Sequence, residues 1–232
     1  MLAASKTGKV YNALLLRFGR IVTSDDVKKV AADFKMDPRS ALVSLKRDGI
    51  LEPVLFQGIY YVRNRDERDL HTIQEDPLRI MARACDVKLG KDWYFGLATA
   101  LKLAGVWEQQ SLTTITIITK KRILRRKVFF ADYAVEFKVL SIPSFQSNLR
   151  VNEGMRYSDP VRTLLDFAYL SARSGELGEY PRNVVAAILK TGRRDLIDQA
   201  EKSLDDYPQL YRVFLDRLLS ELKRSEIRSN SR

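Results

Sequence analysis

Apolar positions return at helical spacing three times within the first fifty residues, and then the period changes. In "KVYNALLLRFG", Val10, Ala13, Leu14 and Phe18 fall near one helical face, and Gly19 can end the helix. A second stripe, Val27, Val30, Ala31 and Phe34, follows "TSDD", where Ser24 is the expected N-cap and Asp25 and Asp26 suit the positive end of a helix. A third helix is expected to open at Asp37-Pro38, since proline loses nothing at the first helical position, and to close at Asp48-Gly49. From Ile50 the sequence turns β-rich. Ile50–Phe56 and Ile59–Val62 read as strands joined at Gln57-Gly58 in a tight hairpin. Three helices and a two-stranded ribbon are the order of a winged helix-turn-helix, expected over residues 1–65.

The stretch "RNRDERDLHTIQE" shows no apolar periodicity and is highly charged, so residues 66–75 are expected to be a linker. A fresh helical stripe (Leu78, Met81, Ala82, Cys85, Leu89) follows a second Asp-Pro cap at Asp76-Pro77 and opens a domain expected to span 76–232. "DWYFGLATALKLAG" runs an aromatic cluster into an apolar helix. Thr113–Thr119 alternates β-branched residues as a strand does, and Val128–Leu140 reads as one or two more strands. A third Asp-Pro pair, at Asp159-Pro160, caps a helix whose buried stripe is Val161, Leu164, Leu165, Ala168 and Tyr169. Arg162, one turn in, is spaced to pair with Asp159 or Asp166. Helical patterns at Arg182–Lys190, Arg193–Ser203 and Pro208–Lys223 complete the chain. The fold class expected is therefore α+β, a winged helix-turn-helix followed by a mixed α/β domain with a helical end.

Charge adds what periodicity leaves out. The 232 residues carry 40 Lys+Arg against 29 Asp+Glu, a formal net charge of +11. The excess is +4 over residues 1–70 (13 basic, 9 acidic), +6 over 71–150 (13 and 7) and +1 over 151–232 (14 and 13). Such a balance favours a polyanionic partner. With one cysteine, Cys85, there is no intramolecular disulfide, and with one histidine, His71, there is no Cys/His zinc cluster. Cys85 reads as a small core residue. No apolar run approaches the roughly 20 residues of a membrane span, and "MLAASKTGKV" lacks the apolar core of a signal peptide, so a cytoplasmic protein is expected.

Two surfaces emerge as candidates for binding. On the third helix Leu42 and Leu45 point inward, which leaves Arg39, Ser40, Val43, Lys46 and Arg47 outward, a set suited to base edges and phosphates in a DNA major groove. Gln57 and Gly58 at the hairpin tip and Arg63 at its exit extend this set to a wing. The second surface is "TKKRILRRK", in which Lys120, Lys121, Arg122, Arg125, Arg126 and Lys127 make six cations of nine residues. So charged a connection repels itself unless it faces an anion. Catalytic signatures are scarce. No phosphate-cradling loop, nucleophile elbow or H-E-x-x-H is present, and neither catalysis nor a cofactor or metal is expected. The rival reading is a metal-dependent DNA nuclease built on the E-x-K of Glu136 and Lys138, with the winged helix as its targeting module. A third is a ligand-sensing transcription regulator.

Taken in order, the winged-helix pattern, "WYFGLATALKLAG", the basic run, a following hairpin and "YSDPVRTLLD" resemble the AbiEi family of antitoxins from abortive-infection toxin–antitoxin systems. The resemblance covers roughly residues 6–170. It implies a winged-helix transcriptional autorepressor that binds double-stranded promoter DNA. It also implies a C-terminal domain that counters a cognate nucleotidyltransferase toxin, directly or indirectly. Carried over by position, DNA contact falls to Arg39, Ser40, Val43, Lys46, Arg47 and the Gln57-Gly58 wing. The antitoxin role falls to the domain after residue 76, its basic run included.

Overall fold

The computed structural model describes residues 5–106, 113–123, 127–141, 145–174 and 195–202, with Arg212, Val213, Asp216 and Ser220. It is an α+β chain with two separate sheets, dividing into two compact units. The first runs to Lys91 and takes in Val128–Asp132; the second comprises Asp92–Lys127 and the chain from Tyr133 onward.

The first unit opens with α1 (Lys6–Phe18), β1 (Ile21–Thr23), α2 (Ser24–Asp33), α3 (Pro38–Arg47), β2 (Leu51–Pro53) and β3 (Ile59–Val62). Around α3 the caps act as expected. The Asp37 carboxylate accepts the Ser40 amide hydrogen at 2.8 Å, Pro38 takes the first turn, and Gly49 turns the chain away at φ 67°. At α2 the cap falls one residue earlier than expected. Thr23 Oγ1 accepts from the Asp26 amide at 3.1 Å while Asp26 Oδ2 accepts from the Thr23 amide at 2.8 Å, a reciprocal box that Ser24 cannot form. The Ser24 amide donates instead to the Gly58 carbonyl at 2.8 Å.

Where the sequence predicts a two-stranded ribbon there is a three-stranded antiparallel sheet, ordered β1-β3-β2. Three residues are too few to show a period, and β1 is a strand because β3 offers it partners, Ile21 opposite Tyr61 and Thr23 opposite Ile59. β2 also ends sooner than expected. Leu55 takes a positive φ of 45°, and the chain returns over Val54–Gly58 with Val54 and Phe56 buried. Val10, Leu14, Val22, Val27, Val30, Leu45, Ile50, Leu51, Tyr60 and Val62 form the core. Phe18, expected on the buried stripe of α1, is instead exposed.

The segment expected to be a linker is built into this unit. Asn64 and Glu67 form a capping box for α4 (Arg65–Asp69), and the Glu67 side chain is fully buried. Its Oε1 accepts from the Tyr61 hydroxyl at 2.7 Å and the Gln74 amide at 3.0 Å and lies 3.2 Å from Arg20, while Oε2 accepts from the Asn64 amide at 2.8 Å. Four partners make the buried carboxylate tenable, and they fasten residues 64–75 to β3. The next helix, α5 (Pro77–Leu89), capped by Asp76, packs on β1 and β3, so the division falls after Lys91 rather than in 66–75. Cys85 lies buried on α5, and burial pushes its thiol pKa up.

Burial acts to raise the pKa of Glu67, but hydrogen bonds from Tyr61, Asn64 and Gln74 and the charge of Arg20 hold it below the ordinary value of 4.5. A depressed folded-state pKa contributes stability that is present above the unfolded value and is lost as pH falls through the folded one. Glu67→Gln is therefore expected to lower the denaturation midpoint at neutral pH and to flatten its fall below about pH 4.5, read by far-UV circular dichroism. A variant that loses stability in acid as steeply as the parent would contradict this.

Beyond Lys91 the chain forms β4 (Trp93–Phe95), α6 (Leu97–Leu103), β5 (Thr114–Thr119), β6 (Lys127–Phe130), β7 (Tyr133–Val139), β8 (Leu149–Asn152), β9 (Met155–Ser158) and α7 (Pro160–Ser174), all in the second unit except β6, whose residues from Val128 on are counted with the first. A further helix covers Asp195–Lys202. The sheet order is β6-β7-β5-β4-β9-β8. β5 runs parallel to β7 and β4 to β9, whereas β4–β5 and β8–β9 are antiparallel. Gly96 joins β4 to α6 where any Cβ would lie 2.3 Å from Ile118 Cγ1, so glycine is required there. The Arg182–Lys190 pattern lies outside the described residues, as does most of Pro208–Lys223.

The third Asp-Pro cap is observed, with the Asp159 carboxylate accepting the Arg162 amide at 2.7 Å. Arg162 pairs with Asp166 as its spacing predicts, Nε to Oδ1 at 2.8 Å, and both side chains are fully buried. The Tyr94 hydroxyl donates to Asp166 Oδ2 at 2.9 Å and accepts from an Arg162 nitrogen at 3.2 Å; a second Arg162 nitrogen reaches the Ser147 carbonyl at 3.4 Å. This network ties α7 to β4 and to the turn before β8.

Candidate nucleic-acid interface

Hydrophobic burial fixes the orientation of α3. Ala41 and Leu45 are fully buried against α1, α2 and the sheet. At about 100° per residue, Arg39, Val43 and Lys46 lie within about 60° of one another, and Ser40 and Arg47 widen that face to about 120°. Ala41 and Leu45 occupy the opposite side. All five outward residues are exposed, Val43 at 63% and the Arg47 side chain at 75%. The structure thus brings the five helix residues singled out in the sequence onto one open surface.

Their head groups are not equally free. Lys46 Nζ sits 4.6 Å from the centre of the buried Tyr60 ring, a cation–π contact that draws the ammonium toward β3. Arg47 Nε lies 3.3 Å from Asp48. At the start of the helix, the Ser40 and Arg39 backbones and the positive charge of Arg39 hold the Asp37 carboxyl below the ordinary carboxylate range, so the cap stays ionised. Ser44, beside this face, lies 3.5 Å from both the Thr7 hydroxyl and the Asp48 carboxylate. The Lys46–Tyr60 contact has no sequence signal, because its partners lie fourteen positions apart in different elements.

The hairpin places its residues differently. Gln57 is exposed at the tip, but Gly58 is half-buried, its carbonyl engaged by Ser24. Arg63 pairs with Glu52 at 2.9 Å with its side chain only 16% exposed. Glu52 and Arg63 flank the register pair Leu51–Val62, a proximity set by the β2–β3 pairing and invisible to a linear scan.

In the second unit Lys120, Lys121, Arg122 and Lys127 are all exposed. Lys121 approaches Asp92 at 3.9 Å and Lys127 approaches Glu136 at 3.9 Å. Arg125 and Arg126 lie outside the described residues. Glu136, the acid of the E-x-K pair, is 3.3 Å from Lys138. Its carboxylate thus faces two ammonium groups, and among the described residues no three His, Cys, Asp or Glu side chains gather where they could hold a metal ion. No described helix is long and apolar enough to cross a membrane.

No family model matches the chain, and no curated protein matches it. Among solved structures it is similar to the crystal structure of the RV2827C protein from Mycobacterium tuberculosis, with a TM-score of 0.63 and 17% sequence identity over 93% of this chain and 76% of that one. At that identity the likeness is one of fold.

Proposed function

We propose that the protein is a DNA-binding transcriptional autorepressor and antitoxin of the AbiEi type, its first unit a winged helix-turn-helix. The observation that carries the DNA-binding half is the outer face of α3. Arg39, Ser40, Val43, Lys46 and Arg47 form one open surface on a helix whose opposite side is locked into the core. The order helix, strand, helix, helix, strand, strand with a three-stranded sheet supports the winged-helix reading. In that arrangement α3 enters the major groove, arginine offers a fork to guanine, and Ser40 and Lys46 reach phosphates. The short β2–β3 loop offers Gln57 to the backbone, while Arg63 buttresses the hairpin through Glu52.

The antitoxin half rests on the resemblance in "WYFGLATALKLAG", the basic run and "YSDPVRTLLD". It assigns to the second unit the countering of a nucleotidyltransferase toxin. Among the described residues of the basic run, Lys120, Lys121, Arg122 and Lys127 are exposed, Lys121 near Asp92 and Lys127 near Glu136, and they are the candidates to meet an acidic surface or phosphates. Gel retardation on the DNA upstream of the gene tests the first half, and growth rescue on co-expression with a neighbouring nucleotidyltransferase gene tests the second. No retardation at low salt would overturn the repressor reading.

The role of the basic run is separable by salt. Arg125→Ala with Arg126→Ala is expected to abolish growth rescue and leave operator affinity intact. If the pair instead lowers the slope of log affinity against log salt by about 0.9 per lost contact, the run grips DNA phosphates.

A further inference from the structure

Val43 stands at the middle of the α3 face among four polar residues and leaves 63% of its surface open. Within the isolated protein this gains nothing. A β-branched residue on a helix surface is a weaker helix former than lysine, glutamate or alanine, and its methyl groups stay in water.

The surroundings define what can cover it. Arg39 lies one turn before, Arg47 one turn after and Lys46 three residues on, so the apolar spot is ringed by positive charge. Lys46 is drawn toward Tyr60 at 4.6 Å and Arg47 toward Asp48 at 3.3 Å, which leaves Val43 clear at the centre. An apolar protein surface seated here would strip water from the neighbouring cations without neutralising them. The complementary occupant is a polyanion presenting one small apolar group. In the major groove of duplex DNA that group is the C5 methyl of thymine.

We propose that Val43 is the specificity-determining contact of α3, packing on a thymine methyl while Arg39 and Arg47 reach the base edges or phosphates on either side. The proposal rests on the reading of α3 as the DNA-facing helix. It adds that recognition depends on a methyl group as well as on hydrogen bonds.

The test uses the full-length chain and duplexes it enriches from a random-sequence pool. Each thymine is replaced in turn by deoxyuridine, which removes the methyl and keeps every hydrogen-bonding group. One thymine per bound site is expected to be sensitive, its replacement weakening binding about fourfold, as befits one buried methyl. Val43→Ala is expected to lose a similar factor on the thymine duplex and nothing further on the deoxyuridine duplex. The exposed position makes this variant fold as the parent does, which circular dichroism checks. If no replacement weakens the parent, or if Val43→Ala remains equally sensitive, the inference is overturned, while retention of the enriched duplexes leaves the DNA-binding reading standing. If the pool yields no enriched sequence and no retention at low salt, the DNA-binding reading itself fails and takes the inference with it.

Discussion

Replacing Arg39 and Arg47 together by alanine is expected to weaken operator binding at least thirtyfold, each lost base contact costing about 1–3 kcal/mol. The reason is geometric. Both arginines are exposed on the side of α3 opposite Ala41 and Leu45, and each carries a forked donor, Arg47 with its Nε shared with Asp48 at 3.3 Å. Stability should barely change, because alanine is a strong helix former and the exposed Arg47–Asp48 pair contributes little. Growth rescue by the second unit should persist in the same variant. Titration of labelled promoter duplex at two salt concentrations, with thermal melting alongside, separates loss of contact from loss of fold. Unchanged affinity in a folded variant would show that α3 does not face the duplex.

Asp166→Ala is expected to destabilise the second unit by about 3–5 kcal/mol, the cost of leaving a buried guanidinium without its counter-charge. Arg162 cannot shed its proton, and Ala would also leave the Tyr94 hydroxyl without its acceptor. The reciprocal variant is gentler, since Asp166 can be neutralised. Burial already raises its pKa from 3.8 to about 6, against the pull of Arg162 and the Tyr94 hydroxyl. A raised folded-state pKa contributes stability that is full below the unfolded value and disappears as pH rises through about 6. Arg162→Met should consequently be much better tolerated at pH 5 than at pH 8, whereas Asp166→Ala should be poorly tolerated at both. Trp93 is fully buried on β4 of this unit, next to Tyr94, so tryptophan fluorescence in urea follows its unfolding. Equal losses for the two variants at both values of pH would refute the asymmetry.

The features legible in the sequence are those written over a few consecutive residues. The caps at Asp37-Pro38, Asp76-Pro77 and Asp159-Pro160, the stops at Gly19 and Gly49, and the Arg162–Asp166 pairing depend on spacings of one to four positions. The outward set on α3 was legible for the same reason: two inward apolar residues at helical spacing leave the other side by elimination.

Tertiary structure decided what depends on partners distant in the chain. Ile21–Thr23 is a strand only because β3 lies beside it, and Arg63 meets Glu52 at 2.9 Å only because β2 pairs with β3. Residues 66–75 read as a linker because charge usually marks solvent. They belong to the first unit because Tyr61, Arg20 and two backbone amides converge on one carboxylate and make its burial tenable. The sequence by itself determined where helices start, stop and turn their apolar sides, since those are local balances of backbone capping and burial. Only the folded chain decided which charges remain free to meet another molecule, because that depends on what long-range packing sets opposite each of them.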